Sequence, residues 1–546
     1  MGTGNGPHDL LAGIFRPVLD RFRVAAKRPA EAQAARLQEI LAANADTEYG
    51  KRYGFASIKD VATYRSRVPR IDFDAIAGEV DRMAAGEGNV LVAETVERFV
   101  KTSGTTGASK RIPITKSLAR EMRDAQMVWI VNMLRENKMH ANGTKLVLVS
   151  PASSETTSAG IPVGANTGRM QGELPWFARF DTSPAAAILA LKNPDVRAYL
   201  TAVAAAAADA GSITATNPST LWLLSRRLTE WARPIATVLK EGWVSSHTPD
   251  GVEIPGGWRW VHRKLFKPRP KRAERLLAAT AVPGRLFPAL WPRLTAVNTW
   301  RGGAADFWLG RLAPELGTLP VRDVGFAASE GYFGVPLESG TAYGVPVCNG
   351  AVMEFDPVGG GATVGIEALE QGREYELFVT TCGGLYRYAM RDIVRAGPRW
   401  ESVPTIAFMR KTGSFLSVTG EKVSDVQVLA AADEASRAAG VALAAAGAAL
   451  EMGEPPAYVL LAEPVAAIAG DGAGRAAAAL ADAFDRALSA ANVEYAGKRA
   501  DGRLAPAKAR LVASGSFEAK RRARVAAGGP DAQVKTPVLF PEGFGS

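Results

Sequence analysis

A short stretch rich in glycine, serine and threonine is the first candidate for chemistry. Residues 102–110 read Thr-Ser-Gly-Thr-Thr-Gly-Ala-Ser-Lys, and their glycines can adopt positive φ and let the backbone approach a ligand closely. The hydroxyl and exposed N–H groups can donate hydrogen bonds to phosphate oxygens, and the lysine adds a positive charge. The stretch predicts a loop that binds the phosphates of a nucleotide through Ser103, Gly104, Thr105, Thr106, Gly107 and Lys110.

The same stretch has two other possible interpretations, a Walker A loop and a plain hairpin turn. A Walker A loop needs lysine and then serine or threonine directly after its second glycine, but Ser109 replaces that glycine and Arg111 replaces the serine or threonine. The Walker interpretation is therefore excluded. A plain hairpin turn stays open, because these are ordinary turn residues and because β-branched or aromatic runs at 98–101 and 111–114 predict a strand on each side.

Three positions further along the chain could complete a nucleotide site. Glu330 follows a predicted strand over 321–328, and a carboxylate at a strand's end can hold Mg²⁺ together with substrate phosphates. Gly302 and Gly303 lie at a strand-to-helix switch, where they permit close approach to a ligand. Asp392 could accept hydrogen bonds from ribose hydroxyls. By itself, a residue such as Glu330 would more often be an exposed loop acid.

The elements that must position these residues predict an α/β fold. A helical region over 9–70 precedes the loop, and a helix over 116–138 and a strand over 145–150 follow it. A strand over 211–216 then runs into a helix with Asn217 as N-cap. Such alternation is typical of an α/β sheet. Short strands over 345–394 predict an antiparallel barrel or sheet, and alternating helices and strands beyond residue 424 predict a small α+β domain.

Composition places the 546-residue chain among ordinary globular proteins, with 47% hydrophobic and 22% charged residues. The net charge of +10 is a mild excess for this length, and the one dense basic run, 263–272, is interpreted as a solvated surface loop rather than a nucleic-acid patch. Cys348 and Cys382 have neither metal-site nor disulfide-scaffold spacing. The N-terminus lacks a signal-peptide pattern and the alanine-rich tracts are unsuited to spanning a bilayer, so we expect a cytoplasmic protein without membrane partners.

In this order, the stretches resemble those of the acyl acid amido synthetases known from plants as auxin-responsive and jasmonate-conjugating enzymes, in a bacterial-looking version. These belong to the adenylate-forming superfamily, which includes acyl-CoA ligases and luciferases. The resemblance runs from about residue 30 to about residue 540. It implies a large N-terminal adenylating domain (1–412) of α/β sheets with a β-barrel-like part, a hinge (413–424), and a smaller mobile α+β domain (425–546).

The resemblance also implies roles for individual residues. Residues 327–331 resemble the family's Ser-Glu motif, which would place Glu330 on the metal and the backbone of Ala328 and Ser329 near adenine. The run from Tyr386 to Asp392 resembles the motif whose aspartate binds both ribose hydroxyls, although Arg391 replaces the usual glycine. Residues 533–537, Gln-Val-Lys-Thr-Pro, match the family's C-terminal motif, in which the lysine, here Lys535, contacts the nucleotide during adenylation. The candidate acyl-binding residues are Arg123, Met127 and Trp300.

The implied function is an ATP- and Mg²⁺-dependent ligase with Lys535 and Glu330 as catalytic residues. It would adenylate a small carboxylic acid and transfer the acyl group to an amine, expected to be an amino acid, and we expect a monomer. An acyl-CoA ligase would share the first half-reaction. A serine hydrolase using Ser329 is disfavoured, because residues 327–331 lack the first glycine of a nucleophile elbow and because every histidine precedes Ser329.

Overall fold

The computed structural model divides the chain into two compact units. The first comprises Met1–Met390 and Val394–Phe408, and the second comprises Arg391–Ile393 and Met409–Ser546. The structure describes residues 13–101, 110–136, 143–148, 155–164, 182–184, 186–189, 191, 193–242, 248–249, 267–303, 305–412, 415–416, 418, 421, 423–453, 455–500, 504–526, 536–540 and 544.

The first unit contains a helical N-terminal part, a parallel sheet with helices, and three further sheets. Its described helices are α1 (Arg16–Lys27), α2 (Pro29–Ala43), α3 (Glu48–Tyr53), α4 (Val61–Arg67), α5 (Ala77–Ala84), α6 (Lys116–Glu136), α7 (Ala186–Leu189), α8 (Pro194–Ala207), α9 (Pro218–Glu230), α10 (Ala232–Glu241), α11 (Pro270–Ala281), α12 (Leu286–Leu290) and α13 (Ala305–Leu316). Its described strands are β1 (Val96–Lys101), β2 (Arg111–Thr115), β3 (Thr144–Leu148), β4 (Glu155–Thr156), β5 (Pro162–Gly164), β6 (Thr182–Ser183), β7 (Ala210–Ala215), β8 (Ala296–Asn298), β9 (Val321–Arg322), β10 (Phe326–Ala327), β11 (Tyr332–Val335), β12 (Val345–Pro346), β13 (Val352–Pro357), β14 (Glu374–Thr380), β15 (Tyr388–Trp400) and β16 (Val403–Lys411). Strands β15 and β16 run into the second unit at 391–393 and 409–411.

The predicted helical N-terminal region is confirmed as α1 to α4. Side-chain caps set two of its helix starts: Thr47 accepts from Gly50 N at 2.9 Å before α3, and Asp60 caps α4. The region packs on the main domain through Gln33, a buried residue of α2. Its amide donates to Cys348 O at 2.8 Å and accepts from Met353 N at 2.7 Å, which ties α2 to the start of β13.

The parallel sheet confirms the predicted α/β alternation. Its strand order is β6-β3-β7-β8-β9, and each neighbouring pair is parallel. Helix α9 starts as predicted, with Asn217 Oδ1 accepting from Ser219 N at 2.9 Å and Pro218 at the first helical position. Because the strands are parallel, the segments that follow β7, β8 and β9 lie along the same edge of the sheet, where α/β folds build their sites.

The candidate phosphate loop joins two antiparallel strands. Phe99 of β1 pairs with Pro113 of β2, and β1 continues the sheet to β5 and β4. Helix α6 begins directly after β2, so the predicted strand, loop, strand and helix order is confirmed for the flanking elements. Residues 102–109 themselves lie outside the described residues.

The single strand predicted over 321–328 is wrong, because the chain turns in its middle. Strands β9 and β10 are separated by residues 323–325, and Gly325 has a φ of +95°. A Cβ atom at Gly325 would lie 2.3 Å from the hydroxyl oxygen of Tyr332, so a side chain does not fit there. This turn carries the chain from the parallel sheet into a three-stranded sheet, β10-β11-β12.

Short strands occur over 345–394 as predicted. Strands β13 to β16 form a four-stranded sheet of order β13-β14-β15-β16. The strand predicted to begin at residue 385 starts at Tyr388 instead and continues to Trp400. Arg387, just before it, has a φ of +48°, which lies outside extended backbone.

The second unit is the predicted small α+β domain. Its described helices are α14 (Asp425–Ala439), α15 (Asp471–Ala491), α16 (Val493–Ala500) and α17 (Ser516–Ala526). Its further described strands are β17 (Phe415–Leu416), β18 (Val423–Ser424), β19 (Leu443–Glu451), β20 (Ala457–Pro464), β21 (Lys508–Leu511) and β22 (Leu539–Phe540), and the main sheet has the order β21-β20-β19-β22. Among the described helices, none is both long and apolar enough to cross a bilayer.

Strand β19 was not predicted, because its sequence, Leu-Ala-Ala-Ala-Gly-Ala-Ala-Leu-Glu, has high helix propensity. Its central position in the sheet overrides that preference. It pairs antiparallel with β20 along most of its length and parallel with β22, and its alanines are buried.

Candidate active site

A glycine-containing segment follows β8 at the carboxyl edge of the parallel sheet. Trp300 N donates to Thr216 O at 3.0 Å, and Trp300 Nε1 donates to Gly325 O at 3.1 Å. Gly302 and Gly303 have φ values of +79° and +55°. They turn the chain toward α13, and Asp306 Oδ1 accepts from Gly302 N at 3.0 Å. The structure therefore places these two glycines in a turn next to the end of β9.

Ser329 and Glu330 lie at the tip of the hairpin between β10 and β11. Ala328 N donates to Gly331 O at 2.8 Å and closes the turn, and Glu330 is only 9% exposed. The strand after the turn pairs back antiparallel. A serine nucleophile elbow requires a strand followed by a helix, so this context contradicts the hydrolase alternative at Ser329.

Asp323 is a buried acid at this edge that sequence reasoning missed. Its carboxylate accepts from Gly325 N at 2.5 Å and from Arg301 N at 2.7 Å, and its side chain is almost fully buried. Burial raises the pKa of this carboxyl to about 7, against the lowering effect of the two N–H groups. Asp323 directly follows β9, so it is an acid at the end of a strand, as Glu330 was predicted to be. It was missed because the predicted strand ran without interruption from 321 to 328.

Helix α6 carries two of the candidate acyl-binding residues. Arg123 is exposed, with its guanidinium 3.9 Å from a carboxylate oxygen of Asp124. Met127 is buried, and it belongs to neither of the two apolar clusters formed by the described residues. Two residues further along α6, Trp129 Nε1 donates to Asp323 O at 2.8 Å and connects α6 to the end of β9.

The described end of the phosphate loop is Lys110. Its ammonium group lies 5.7 Å from the ring centroid of Phe73, within the range of a cation–π contact. The other predicted contacts, Ser103, Gly104, Thr105, Thr106 and Gly107, lie outside the described residues, as does Lys535.

Tyr386 is a core residue in the structure. Its side chain is 0% exposed, its ring stacks on Tyr49 with centroids 4.9 Å apart, and its hydroxyl donates to Leu91 O at 2.8 Å. Burial raises the pKa of Tyr386 well above its usual range. A side chain buried in this way has no surface with which to contact a nucleotide. We therefore assign Tyr386 to the core and leave it out of the proposed nucleotide site.

The second unit holds the acid predicted to bind ribose. Asp392 Oδ1 lies 2.6 Å from Lys411 Nζ, and the aspartate is buried while the lysine is half exposed. Arg391, where the family has glycine, adopts a φ of +55°. Arg391 therefore adopts a backbone conformation that favours glycine. For an L-residue this left-handed conformation costs about 1–2 kcal/mol.

The basic run was expected to be a solvated loop, and its described part is only partly so. Residues 267–271 are exposed, but Arg272 is half-buried and donates to Ala206 O and Leu290 O at 3.0 and 2.9 Å. Arg269 donates to Ala207 O at 2.8 Å. Two of the arginines thus bind carbonyls at the C-terminal end of α8, which gives them a structural role.

No group of three or more histidine, cysteine, aspartate or glutamate residues suited to a metal ion occurs in the described part of the chain. Mg²⁺ commonly binds through one or two carboxylates plus substrate phosphates, with waters completing the octahedron. A single acid such as Glu330, buried at a hairpin tip whose neighbouring residues 328 and 329 are partly exposed, fits that mode of binding.

Three family models match successive parts of the chain. They are the GH3 family N-terminal domain over residues 18–321, the GH3 family central domain over 344–411, and the GH3 family C-terminal domain over 426–543. The match to the N-terminal domain alone covers more than half of the chain, and residues 322–343, which include Asp323 and Glu330, lie between the first two matches.

Relatives and a solved structure agree with this match. The chain is 28% identical to a probable indole-3-acetic acid-amido synthetase of Arabidopsis thaliana, over 73% of this chain and 70% of the relative. It is 24% identical to a jasmonoyl-L-amino acid synthetase of Oryza sativa subsp. japonica, over 95% and 94%. These relatives are plant proteins, so the expected bacterial origin stays a prediction.

The fold matches that of AtGH3.15 acyl acid amido synthetase in complex with 2,4-DB, with a TM-score of 0.83 and 19% identity over 99% of this chain and 96% of that chain. The predicted fold class and family resemblance are confirmed. The chain belongs to the GH3 family.

Proposed function

We propose that this chain is an acyl acid-amido synthetase that activates a small carboxylic acid with ATP and joins it to an amino acid. The observation that carries the proposal is the succession of all three GH3 domains along one chain. The relatives named as indole-3-acetic acid- and jasmonoyl-amino acid synthetases support the enzyme class. Which acid and which amino acid this chain uses are not implied by those names.

The first half-reaction makes the acid reactive. An oxygen of the substrate carboxylate attacks the α-phosphorus of ATP, the bond to the β-phosphate oxygen breaks, and pyrophosphate leaves. Negative charge develops on the phosphoryl oxygens, and preorganised donors lower such barriers by a few kcal/mol each. In our proposal the loop at 102–110 and Lys535 supply those donors.

The metal would act at the same step. Glu330 would hold Mg²⁺, which neutralises charge on the phosphates. In the second half-reaction the amine nitrogen attacks the acyl carbonyl carbon, the bond to AMP breaks, and a proton leaves the nitrogen. Trp300 is the proposed contact of the reacting acyl group, and the adjoining Gly302-Gly303 turn is the proposed place where the backbone approaches the nucleotide.

We further propose a monomeric cytoplasmic enzyme without nucleic-acid or membrane partners. The free cysteines Cys348 and Cys382 agree with a reducing compartment. The carbonyl contacts of Arg269 and Arg272 give part of the basic run a structural explanation that does not involve nucleic acid.

Product analysis with purified protein tests the function. Pyrophosphate release is measured with ATP and Mg²⁺ across aromatic, aliphatic and indolic acids, and each active acid is then supplied with either an amino-acid mixture or CoA. We expect acid-dependent pyrophosphate release and an amide as the product. A CoA thioester as the sole product would establish the acyl-CoA ligase instead, and the absence of acid-dependent pyrophosphate release across the panel would refute adenylation of these acid classes.

A further inference from the structure

The buried carboxylate of Asp323 joins two backbone segments that follow adjacent strands. One oxygen accepts from Gly325 N at 2.5 Å, and the other accepts from Arg301 N at 2.7 Å. The side chain is 4% exposed. The function proposed above assigns no role to this residue, and both hydrogen bonds of its carboxylate come from backbone N–H groups.

Two tryptophan side chains complete the same hydrogen-bond network. Trp300 Nε1 donates to Gly325 O at 3.1 Å, so the segment after β8 donates two hydrogen bonds to the turn after β9. Trp129 Nε1, from α6, donates to Asp323 O at 2.8 Å. The carboxylate of Asp323 thus connects two loops at the carboxyl edge of the sheet, and its backbone carbonyl connects them to α6, the helix with the candidate acyl-binding residues Arg123 and Met127.

The position of these loops gives the network a consequence for catalysis. Arg301 directly precedes the Gly302-Gly303 turn, and Gly325 directly precedes β10, the strand that leads to the Ser329-Glu330 hairpin tip. Small displacements of groups that hold a reacting atom reduce rates strongly. A carboxylate that accepts both N–H groups at once fixes these two segments against each other more firmly than a neutral side chain with one good acceptor.

We propose that Asp323 is a positioning residue for adenylation, and that its carboxylate aligns the Gly302-Gly303 turn with the strand that carries Ser329 and Glu330. The proposal rests on the function proposed above. Asp323 itself need not touch a substrate, because it acts through the backbone of Arg301 and Gly325.

The charged neighbours of Asp323 make its ionisation a usable readout. The Arg301 guanidinium favours the charged form, whereas Asp306 at the start of α13 disfavours it. Tyr332 on β11 also faces the acid, but burial raises the pKa of Tyr332 far above neutrality, so it stays uncharged. Arg322, the preceding residue, carries its charge into the ion pair with Glu136 of α6. The pKa of Asp323, raised by burial to about 7, places its change of charge within an accessible pH range.

The test is Asp323→Asn, which keeps the shape but replaces one acceptor by an NH₂ group that faces a donor. Pyrophosphate release is the assay, since it does not depend on ionisation of the amine substrate. We expect kcat to fall about 10- to 100-fold while the KM for ATP changes less than about threefold. The ratio of parent to variant activity should increase as the pH rises through about 7, because only the parent gains a carboxylate there.

Asp356→Asn is the matched control, since Asp356 is a partly buried acid on β13 of the same unit that accepts from the side chains of Arg70 and Thr363. It should lower stability without changing the pH dependence of activity. If both variants lose activity in proportion to their decrease in Tm, the effect is one of stability and the proposal is overturned. Parental kcat and parental pH dependence in Asp323→Asn would overturn it as well.

A second readout does not require activity. A carboxyl whose pKa is raised on folding binds its proton more tightly in the native state, so its contribution to stability is lost as the pH rises from about 4 to about 7. The Tm of Asp323→Asn minus that of the parent should therefore increase across this window, and a constant difference would contradict the buried titration. If Asp323→Asn does not fold, Asp323→Glu keeps the charge but displaces the carboxylate by one methylene group, and it should lower kcat about 3- to 10-fold with an unchanged KM for ATP. Parental kcat in that variant would overturn the proposal.

These outcomes separate the proposal from the function on which it rests. Absence of pyrophosphate release by the parent protein with every acid would remove the proposed function, whereas an active parent with an equally active Asp323→Asn variant would remove only the positioning role.

Discussion

The ammonium nitrogen of Lys411 lies 2.6 Å from Oδ1 of Asp392, and this ion pair orients the acid that we predict to bind ribose. The Asp392 side chain is 4% exposed and that of Lys411 is 46% exposed, so the carboxylate is the buried partner. The pair lies within the second unit, at the point where β15 and β16 enter it.

If Asp392 accepts from ribose hydroxyls, its loss should weaken discrimination against nucleotides that lack them. Sites built to hydrogen-bond a hydroxyl reject analogues without it strongly, so we expect the parent protein to prefer ATP over 2′,3′-dideoxy-ATP by at least about 100-fold in kcat/KM. Asp392→Asn should lose most of that preference. Asp485→Asn, which removes a partner of Arg499 elsewhere in the unit, should retain it. Unchanged discrimination in Asp392→Asn would contradict the ribose assignment.

Arg391 adopts a backbone conformation that favours glycine, with a φ of +55°. Arg391→Gly should relieve about 1–2 kcal/mol of strain, offset by about 0.4–1 kcal/mol from the greater freedom of glycine in the unfolded chain. We therefore expect stability to increase by up to about 1 kcal/mol, measured as the midpoint of thermal unfolding. Arg391→Val should be destabilising, because a β-branched side chain is poorly tolerated at positive φ. A lower midpoint for the glycine variant would show that contacts of the arginine outweigh the strain.

Glu330 is the proposed ligand of Mg²⁺, and its removal should alter the metal requirement. For Glu330→Gln we expect the Mg²⁺ concentration at half-maximal pyrophosphate release to rise about tenfold or more, because an amide oxygen carries no charge to offset that of the ion. Glu338→Gln changes an exposed acid a few residues away and serves as the control. An identical Mg²⁺ dependence in Glu330→Gln and the parent would exclude the assignment.

Lys535 is proposed to act only in adenylation, where it contacts the phosphates of ATP. Lys535→Ala should reduce adenylation about 100- to 1000-fold, the usual cost of removing one preorganised charge-stabilising group. It should still form amide from a supplied acyl-adenylate, and its circular dichroism should match that of the parent. Lys508→Ala removes an exposed lysine of the same unit that pairs with Glu451, and it should adenylate normally. Parental pyrophosphate release by Lys535→Ala would refute the role.

Features that depend on neighbouring residues were predicted well. The start of α9 at Asn217-Pro218, the two strands around the phosphate loop, and the length of α6 follow from caps and hydrophobic patterning within a few residues. Motif order also predicted the family, which the matches over residues 18–321, 344–411 and 426–543 confirm.

Features that depend on distant partners were not predictable in this way. The alanine-rich segment of β19 becomes a strand because β20 and β22 pair with it on both sides. The predicted strand over 321–328 breaks because the chain turns at Gly325, which has a φ of +95° and lies against Tyr332, where no side chain fits. Tyr386 was assigned to a nucleotide from its motif, whereas its hydroxyl is bound to Leu91 O from a part of the chain almost three hundred residues away.

By itself, the sequence determined which stretches have the residue types for phosphate, metal and ribose chemistry, and in which order they occur. That much is local, since turn formation, helix capping and charge belong to residues close together in the chain. Only the tertiary structure decided that Asp323 joins the segments after β8 and β9 and that Asp392 is paired with Lys411. Burial and hydrogen bonding between distant segments exist only once the chain has folded, so no local pattern specifies them.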